Sequence, residues 1–260
     1  MSSTPPPTIP SKAELRTLRP DFLESKPAVL LTPPRISKNL VVYREPSSPA
    51  AEQYRILAHA IEKREASEGI KTLAITSALE AEGKTITALN LAFALAENRS
   101  HRVLLCDLDL RRGGIATALG LGDVAGLHDV WLARRAAEDV FLRLERNLAF
   151  LPSGQPVPHP VGLFRSTLWK DLARSFRDHF DYILFDCAPL CVTGDMAILE
   201  DVIDRTLLVV RAGATPSEAV LDALEKIAPQ KMLGFVVNGA DPSTSHYARY
   251  PYPGGSKKKE

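Results

Sequence analysis

Short, almost wholly apolar runs separated by helical patterns constrain this chain more than any other feature. The runs are "KTLAIT", "RVLLCDLD", "LAFLPSG", "YILFDCAP", "RTLLVVRAG" and "LGFVVNGAD". Residues 84–98, "LFRSTLWKDLARSFRDHF" and "SEAVLDALEKI" alternate with them and carry helical spacing. Ahead of all of these, "SSPAAEQYRILAHAIEKREA" reads as a helix with Ser48 as N-cap and Pro49 at its first position. A strand that is apolar on both faces needs helices on both sides of its sheet. The alternation therefore predicts an α/β fold, a doubly wound, mainly parallel sheet with helices on both faces. Ligands of such sheets bind beyond the carboxyl ends of the strands, so the residue after each strand is where chemistry is expected.

Proline usage places the boundaries. Half of the 20 prolines fall in residues 1–49, and none lies between 50 and 151. Residues 1–40 read as a Pro-rich flexible arm, in which "AELRTLRPDFL" offers a short helical turn; 41–243 read as the folded domain. Residues 244–260 read as a tyrosine-containing flexible tail. A composition of 45% hydrophobic and 24% charged residues supplies an ordinary core, and a net charge of +1 gives no field that would gather nucleic acid. No apolar run approaches the roughly 20 residues that span a bilayer. The N-terminal "MSSTPPPTIPSKAELR" lacks an apolar signal segment, so a cytoplasmic location is expected. Cys106, Cys187 and Cys191 fit no zinc spacing and read as small buried residues, and the six histidines are scattered.

Three strand ends carry unusual residues. After the first strand comes "SALEAEGKT", a turn into the apolar helix "ITALNLAFALA". Such a turn aims backbone N–H groups and a helix N-terminus at one point, which favours an anion. Lys84 can reach terminal phosphates and the Thr85 hydroxyl can ligate Mg²⁺, although Ala78 stands where a phosphate loop usually has its first glycine. After the second strand, "LLCDLDLRR" puts Asp107 and Asp109 where the chain leaves the sheet, with Arg111 close enough to counter one of them or to meet a triphosphate. After a later strand, "YILFDCAP" repeats the pattern with Asp186, in position to hold Mg²⁺ directly or through water. Three such features at one sheet edge read as a nucleotide site. "GLGDVAG" (120–126) resembles a dinucleotide fingerprint but follows no strand and is expected to be a loop that opens no helix.

These stretches, from about residue 41 to residue 243, resemble the bacterial tyrosine kinases of capsule and exopolysaccharide assembly, a P-loop family related to partition and division-site ATPases. "SALEAEGKT" is similar to the family's Walker A, "VLLCDLDLR" to its Walker A′ and "ILFDCAP" to its Walker B. The resemblance implies a protein-tyrosine autokinase that uses ATP and Mg²⁺ and regulates surface polysaccharide production. It assigns the ATP phosphates to the loop Leu79, Glu80, Ala81, Glu82, Gly83, Lys84, Thr85 and Ile86, and the adenine edge to Asn238. Asp107 would act as base or positioner for the incoming tyrosine hydroxyl, with Asp109 and Asp186 supporting the metal; Thr85, Asp107 and Asp186 are the metal candidates. The family's autophosphorylated tail would correspond to Tyr247, Tyr250 and Tyr252. Implied partners are a membrane polysaccharide co-polymerase that recruits and activates the kinase, a protein-tyrosine phosphatase, and further copies of the chain, at the inner face of the membrane.

The sequence departs from the family at three places, one of them the sparse tyrosine cluster of its tail. Glu80-Ala81 replaces the usual Pro-Gly, which restricts the backbone and adds charge near phosphates. The ring-assembly motif E-x-x-R-x-x-R reads Glu52-x-x-Arg55-x-x-Ala58. A switch ATPase of the partition type is the competing reading, against which stands Leu79 where those proteins carry a lysine. A non-catalytic, nucleotide-gated adaptor of the export machinery is another, against which stand the intact Lys84, Thr85, Asp107, Asp109 and Asp186.

Overall fold

The computed structural model describes Leu18, residues 22–32 and residues 34–240. Among the described residues seven strands form one sheet: β1 (Thr72–Ser77), β2 (Val103–Asp107), β3 (Leu142–Glu145), β4 (Leu148–Leu151), β5 (Tyr182–Asp186), β6 (Arg205–Arg211) and β7 (Met232–Asn238). Their order is β3-β4-β2-β5-β1-β6-β7. All neighbours are parallel except β3 and β4. β1, β2, β4 and β5 are buried throughout, as their apolar composition on both faces requires.

Two apolar layers sandwich the sheet. One face is covered by α1 (Val41–Arg44), α2 (Pro49–Glu68), α3 (Lys84–Ala96) and α4 (Gly114–Ala118), the other by α5 (Leu127–Trp131), α6 (Ala137–Val140), α7 (Val161–Arg165), α8 (Thr167–His179), α9 (Asp195–Leu199) and α10 (Ser217–Leu224). Every residue of α3 from Thr87 to Ala96 is buried, because α2 packs over it. α2 begins as its sequence dictates: the Ser48 side chain accepts the Ala51 N–H at 3.1 Å and Pro49 opens the first turn. α8 instead carries one apolar stripe, with Trp169, Leu172, Ala173 and Phe176 buried at helical spacing.

Four expectations change. Residues 22–40 do not stand off as an arm: Phe22, Leu31, Ile36 and Leu40 are buried, and Phe22 packs edge-on against Phe141 at 5.1 Å between ring centres. Ala28 bridges Arg143 beside β3, and the Val29 N–H reaches the Arg143 carbonyl at 2.8 Å, so this segment caps the open edge of the sheet. The apolar residues of this segment find the core despite its prolines. The single helix expected over residues 163–180 breaks at Ser166, whose hydroxyl oxygen accepts the Trp169 N–H at 3.2 Å and caps α8. The 120–126 loop does open a helix, with Gly126 as the N-cap of α5. β3 was not expected; half-buried and only four residues long, it carries no apolar run.

Candidate active site

The loop between β1 and α3 closes on a cavity of about 680 Å³ at the carboxyl edge of the sheet. Gly83, Lys84, Thr85 and Ile86 line it from the start of α3, together with Glu80 and Ala81. Asp109, Arg111 and Arg112 come from the turn after β2, Arg211 ends β6, and Asn238 ends β7. Its remaining wall includes Asn39, Val41 and Tyr54, from the strap, α1 and α2.

Beneath Lys84 the predicted carboxylates converge. Its ammonium lies 2.9 Å from Asp109 Oδ2 and 3.3 Å from Asp186 Oδ1. The Thr85 hydroxyl donates to Asp186 Oδ2 at 2.7 Å. Asp107 and Asp186 sit opposite each other in the register of β2 and β5, both buried. Asp107 Oδ2 accepts the Ile115 N–H at 3.1 Å, while Oδ1 is buried with no partner among the described residues. Burial and then the facing Asp186 charge push the Asp107 carboxyl well above the ordinary range. Burial also raises Asp186, though Lys84 works against it. Burial disfavours the Lys84 charge, but Asp186 and Asp109 outweigh that and hold it above its ordinary value.

The residues present suit a Mg²⁺ ion. Among the described residues no group of three His, Cys, Asp or Glu side chains forms a metal cage. Mg²⁺ in phosphoryl-transfer sites takes only one or two protein oxygens, completing its shell with waters and phosphates. The Thr85 and Asp186 oxygens stand 2.7 Å apart, close to the separation of about 3 Å between neighbouring ligands of an octahedral Mg²⁺. The orphaned Asp107 Oδ1 supplies a further buried acceptor.

The loop itself has an unusual backbone. Ala81 adopts φ +60° and Gly83 φ +99°. A Cβ on Gly83 would lie 2.0 Å from Asn238 Nδ2. That amide donates to the Glu82 carbonyl at 2.9 Å, so Asn238 braces the loop with its nitrogen. Leu79 packs against the core and Glu82 is buried, so neither lines the cavity. Glu80 pairs across the cavity wall with Arg112 at 2.7 Å. Arg111 pairs with Asp195, countering neither Asp107 nor Asp109. Cys106 and Cys187 are buried, and burial raises both thiols, which leaves them unreactive packing residues. Tyr247, Tyr250 and Tyr252 lie outside the described residues.

Sequence reasoning missed Arg111's partner Asp195, the wall residue Tyr54, and Arg211. Arg211 was within reach of the strand-end rule, since it is the last residue of β6. Tyr54 sits mid-helix, where nothing in the sequence marks it. In the Glu52-Arg55-Ala58 series, Arg55 is committed within the chain, to both Glu97 oxygens at 2.7 and 2.8 Å and to the Pro46 carbonyl at 2.7 Å. Ala58 is buried in the core, where an arginine would not fit without rearrangement.

A Gly-Lys-Thr turn at the head of a helix, backed by carboxylates from the ends of β5 and β2, defines a P-loop nucleotide-binding site. Residues 70–218 match the AAA domain family. Tyrosine-protein kinase YwqD of Bacillus subtilis (strain 168) is 35% identical over 223 residues, covering 85% of this chain and 93% of that protein. Succinoglycan biosynthesis transport protein ExoP of Rhizobium meliloti (strain 1021) is 32% identical over 208 residues, covering 77% of this chain and 26% of ExoP. The kinase domain of Escherichia coli tyrosine kinase ETK shares the fold with a TM-score of 0.72 at 24% identity, covering 89% of this chain and 91% of that domain. The chain belongs to the bacterial tyrosine-protein kinases. Among the described residues no helix is long and apolar enough to cross a membrane.

Proposed function

We propose that the chain is an ATP-dependent autokinase that transfers the γ-phosphoryl group to tyrosine hydroxyls in the service of surface polysaccharide synthesis and export. The observation that carries this is the convergence of Lys84, Thr85, Asp109 and Asp186 at one cavity floor, with Asp107 buried beside them. The kinase names of relatives such as YwqD, and the polysaccharide role in the name of ExoP, support the same reading.

Phosphoryl transfer needs positioning and charge neutralisation more than covalent help. The N–H groups of residues 83–86 and the Lys84 ammonium would hold the β- and γ-phosphates. Thr85, Asp186 and Asp107 would hold Mg²⁺, which when bound neutralises charge building between those phosphates. As the tyrosine oxygen bonds to the γ-phosphorus, the bond to the ADP oxygen breaks and the phenolic proton leaves. Asp107, at the end of β2 facing Asp186, is the group we assign as base or positioner for that proton. Asn238 and Arg211, at the ends of adjacent strands, flank the cavity where the base would lie.

Tyr247, Tyr250 and Tyr252 are the proposed acceptors, presented in trans by another copy. A membrane polysaccharide co-polymerase would recruit the kinase to the inner membrane face and activate it, and a protein-tyrosine phosphatase would reset it. The test is phosphotyrosine labelling of the purified chain with Mg·ATP, with and without the cytoplasmic segment of a candidate co-polymerase. Changing Tyr247, Tyr250 and Tyr252 together to Phe should remove most of the label. Strong labelling of that triple variant would place the acceptors elsewhere.

A further inference from the structure

Glu82 sits inside the phosphate loop yet points away from the cavity. Its carboxylate is buried and both oxygens are engaged. Oε2 accepts the Leu79 N–H at 2.9 Å, bridging the loop back to its own start. Oε1 accepts the hydroxyl proton of Thr215, in the turn between β6 and α10. The Thr215 oxygen in turn accepts the Arg211 N–H at 2.8 Å. A hydroxyl has one proton, and with its oxygen turned to Arg211 that proton is directed at Glu82.

Two more contacts from the same side reinforce this one. The Arg211 guanidinium donates to the Ala81 carbonyl at 3.2 Å, and Asn238 holds the Glu82 carbonyl at 2.9 Å. The loop is thus tied to the ends of β6 and β7 at Ala81 and at both ends of Glu82. That anchoring offsets the missing glycines, since Ala81 at φ +60° is a conformation the loop would not hold unaided.

We propose that Thr215 is a positioning residue for the nucleotide. Acting through Glu82, it sets the curvature of the loop before the phosphates arrive, so that the N–H groups of residues 83–86 are aimed without reorganisation. This rests on the nucleotide-site reading above. Removing the Thr215 hydroxyl leaves a buried carboxylate oxygen without its donor, and Glu82 must then turn toward water and release the Leu79 N–H.

The experiment measures Mg·ADP binding by calorimetry for the full chain and for Thr215→Val, Thr215→Ser and Lys84→Met. Thr215→Val keeps the side-chain shape and should weaken ADP binding on the order of tenfold. Its melting temperature without nucleotide should fall by only about 2–8 °C, the cost of a buried carboxylate oxygen losing its donor, leaving the protein folded at the assay temperature. Thr215→Ser restores the donor and should bind within about twofold of the parent. In tyrosine labelling, the KM for ATP should rise for Thr215→Val with kcat nearly unchanged. If Thr215→Val binds ADP like the parent while Lys84→Met does not, the positioning role is overturned and the nucleotide site stands. If Lys84→Met also binds ADP like the parent, the nucleotide site itself is misplaced. Should Thr215→Val not fold, Thr215→Ala carries the same comparison.

Discussion

The Thr85 hydroxyl donates to Asp186 at 2.7 Å, joining the first turn of α3 to the end of β5. The pair holds in place, before any ion binds, two oxygens that a Mg²⁺ ion would share. Thr85→Ala should lower phosphotransfer by about 10²-fold and raise the Mg²⁺ concentration needed for half-maximal rate. Thr85→Ser should retain most of the activity. An unchanged Mg²⁺ dependence in Thr85→Ala, measured by labelling across a Mg²⁺ titration, would remove Thr85 from the metal site.

Gly83→Ala forces a choice. The new Cβ would meet Asn238 Nδ2 at 2.0 Å, and φ +99° disfavours any L side chain. Asn238 must let go of the Glu82 carbonyl or the loop must shift. A stability loss of about 1–3 kcal/mol in urea is expected, with nucleotide binding lost in protein that is still folded. Parent-like binding would mean that this approach of loop and strand does not matter.

Ala81→Gly runs the other way. Ala81 occupies the left-handed region, which costs an L residue about 1–2 kcal/mol. Glycine removes that strain but adds freedom to the unfolded chain, worth about 0.4–1 kcal/mol. A net gain of about 0–1.6 kcal/mol follows, with the KM for ATP no higher than in the parent. Lower stability by urea denaturation would contradict the left-handed loop.

Far from the site, Asp204 accepts the Lys71 and Thr72 N–H groups at 2.9 Å each and pairs with Arg177 at 2.9 Å. Burial works to raise its carboxyl, but those two N–H groups and Arg177 win and hold it below the ordinary value. A depressed carboxyl contributes stability above its unfolded value of about 3.9, lost as pH falls through the folded one. Asp204→Ala should therefore cost about 2–3 kcal/mol at neutral pH, and the difference from the parent should shrink below about pH 4. The ATP KM should not move. A pH-independent difference in unfolding free energy would show that the charge is not what stabilises.

The alternation of apolar runs was enough to read the doubly wound sheet, and the residues after β1, β2 and β5 were enough to single out Lys84, Thr85, Asp107, Asp109 and Asp186, which the fold brings together. Both signals are local. What escaped was carried by long-range contact. The strap of residues 22–40 looked flexible because it was read together with the Pro-rich residues before it, and only the folded sheet shows Phe22 meeting Phe141. Glu80 and Ala81 looked like damage to a phosphate loop. In the fold Glu80 is paired with Arg112, and Ala81 is held by Arg211, which lies 130 residues away in sequence. Asn238 stands at the cavity, as its place after "FVV" suggested, yet its amide nitrogen serves the loop.

The central claim is that Lys84 and its carboxylates move phosphate to tyrosine. Its most direct test is phosphotyrosine formed from Mg·ATP by the purified chain and by Lys84→Met, with the co-polymerase segment present in both. Label that appears on tyrosine in the parent, and falls at least about 10³-fold in a folded Lys84→Met, is the predicted result. ATP hydrolysis without any tyrosine label would contradict the account and make the chain a switch ATPase.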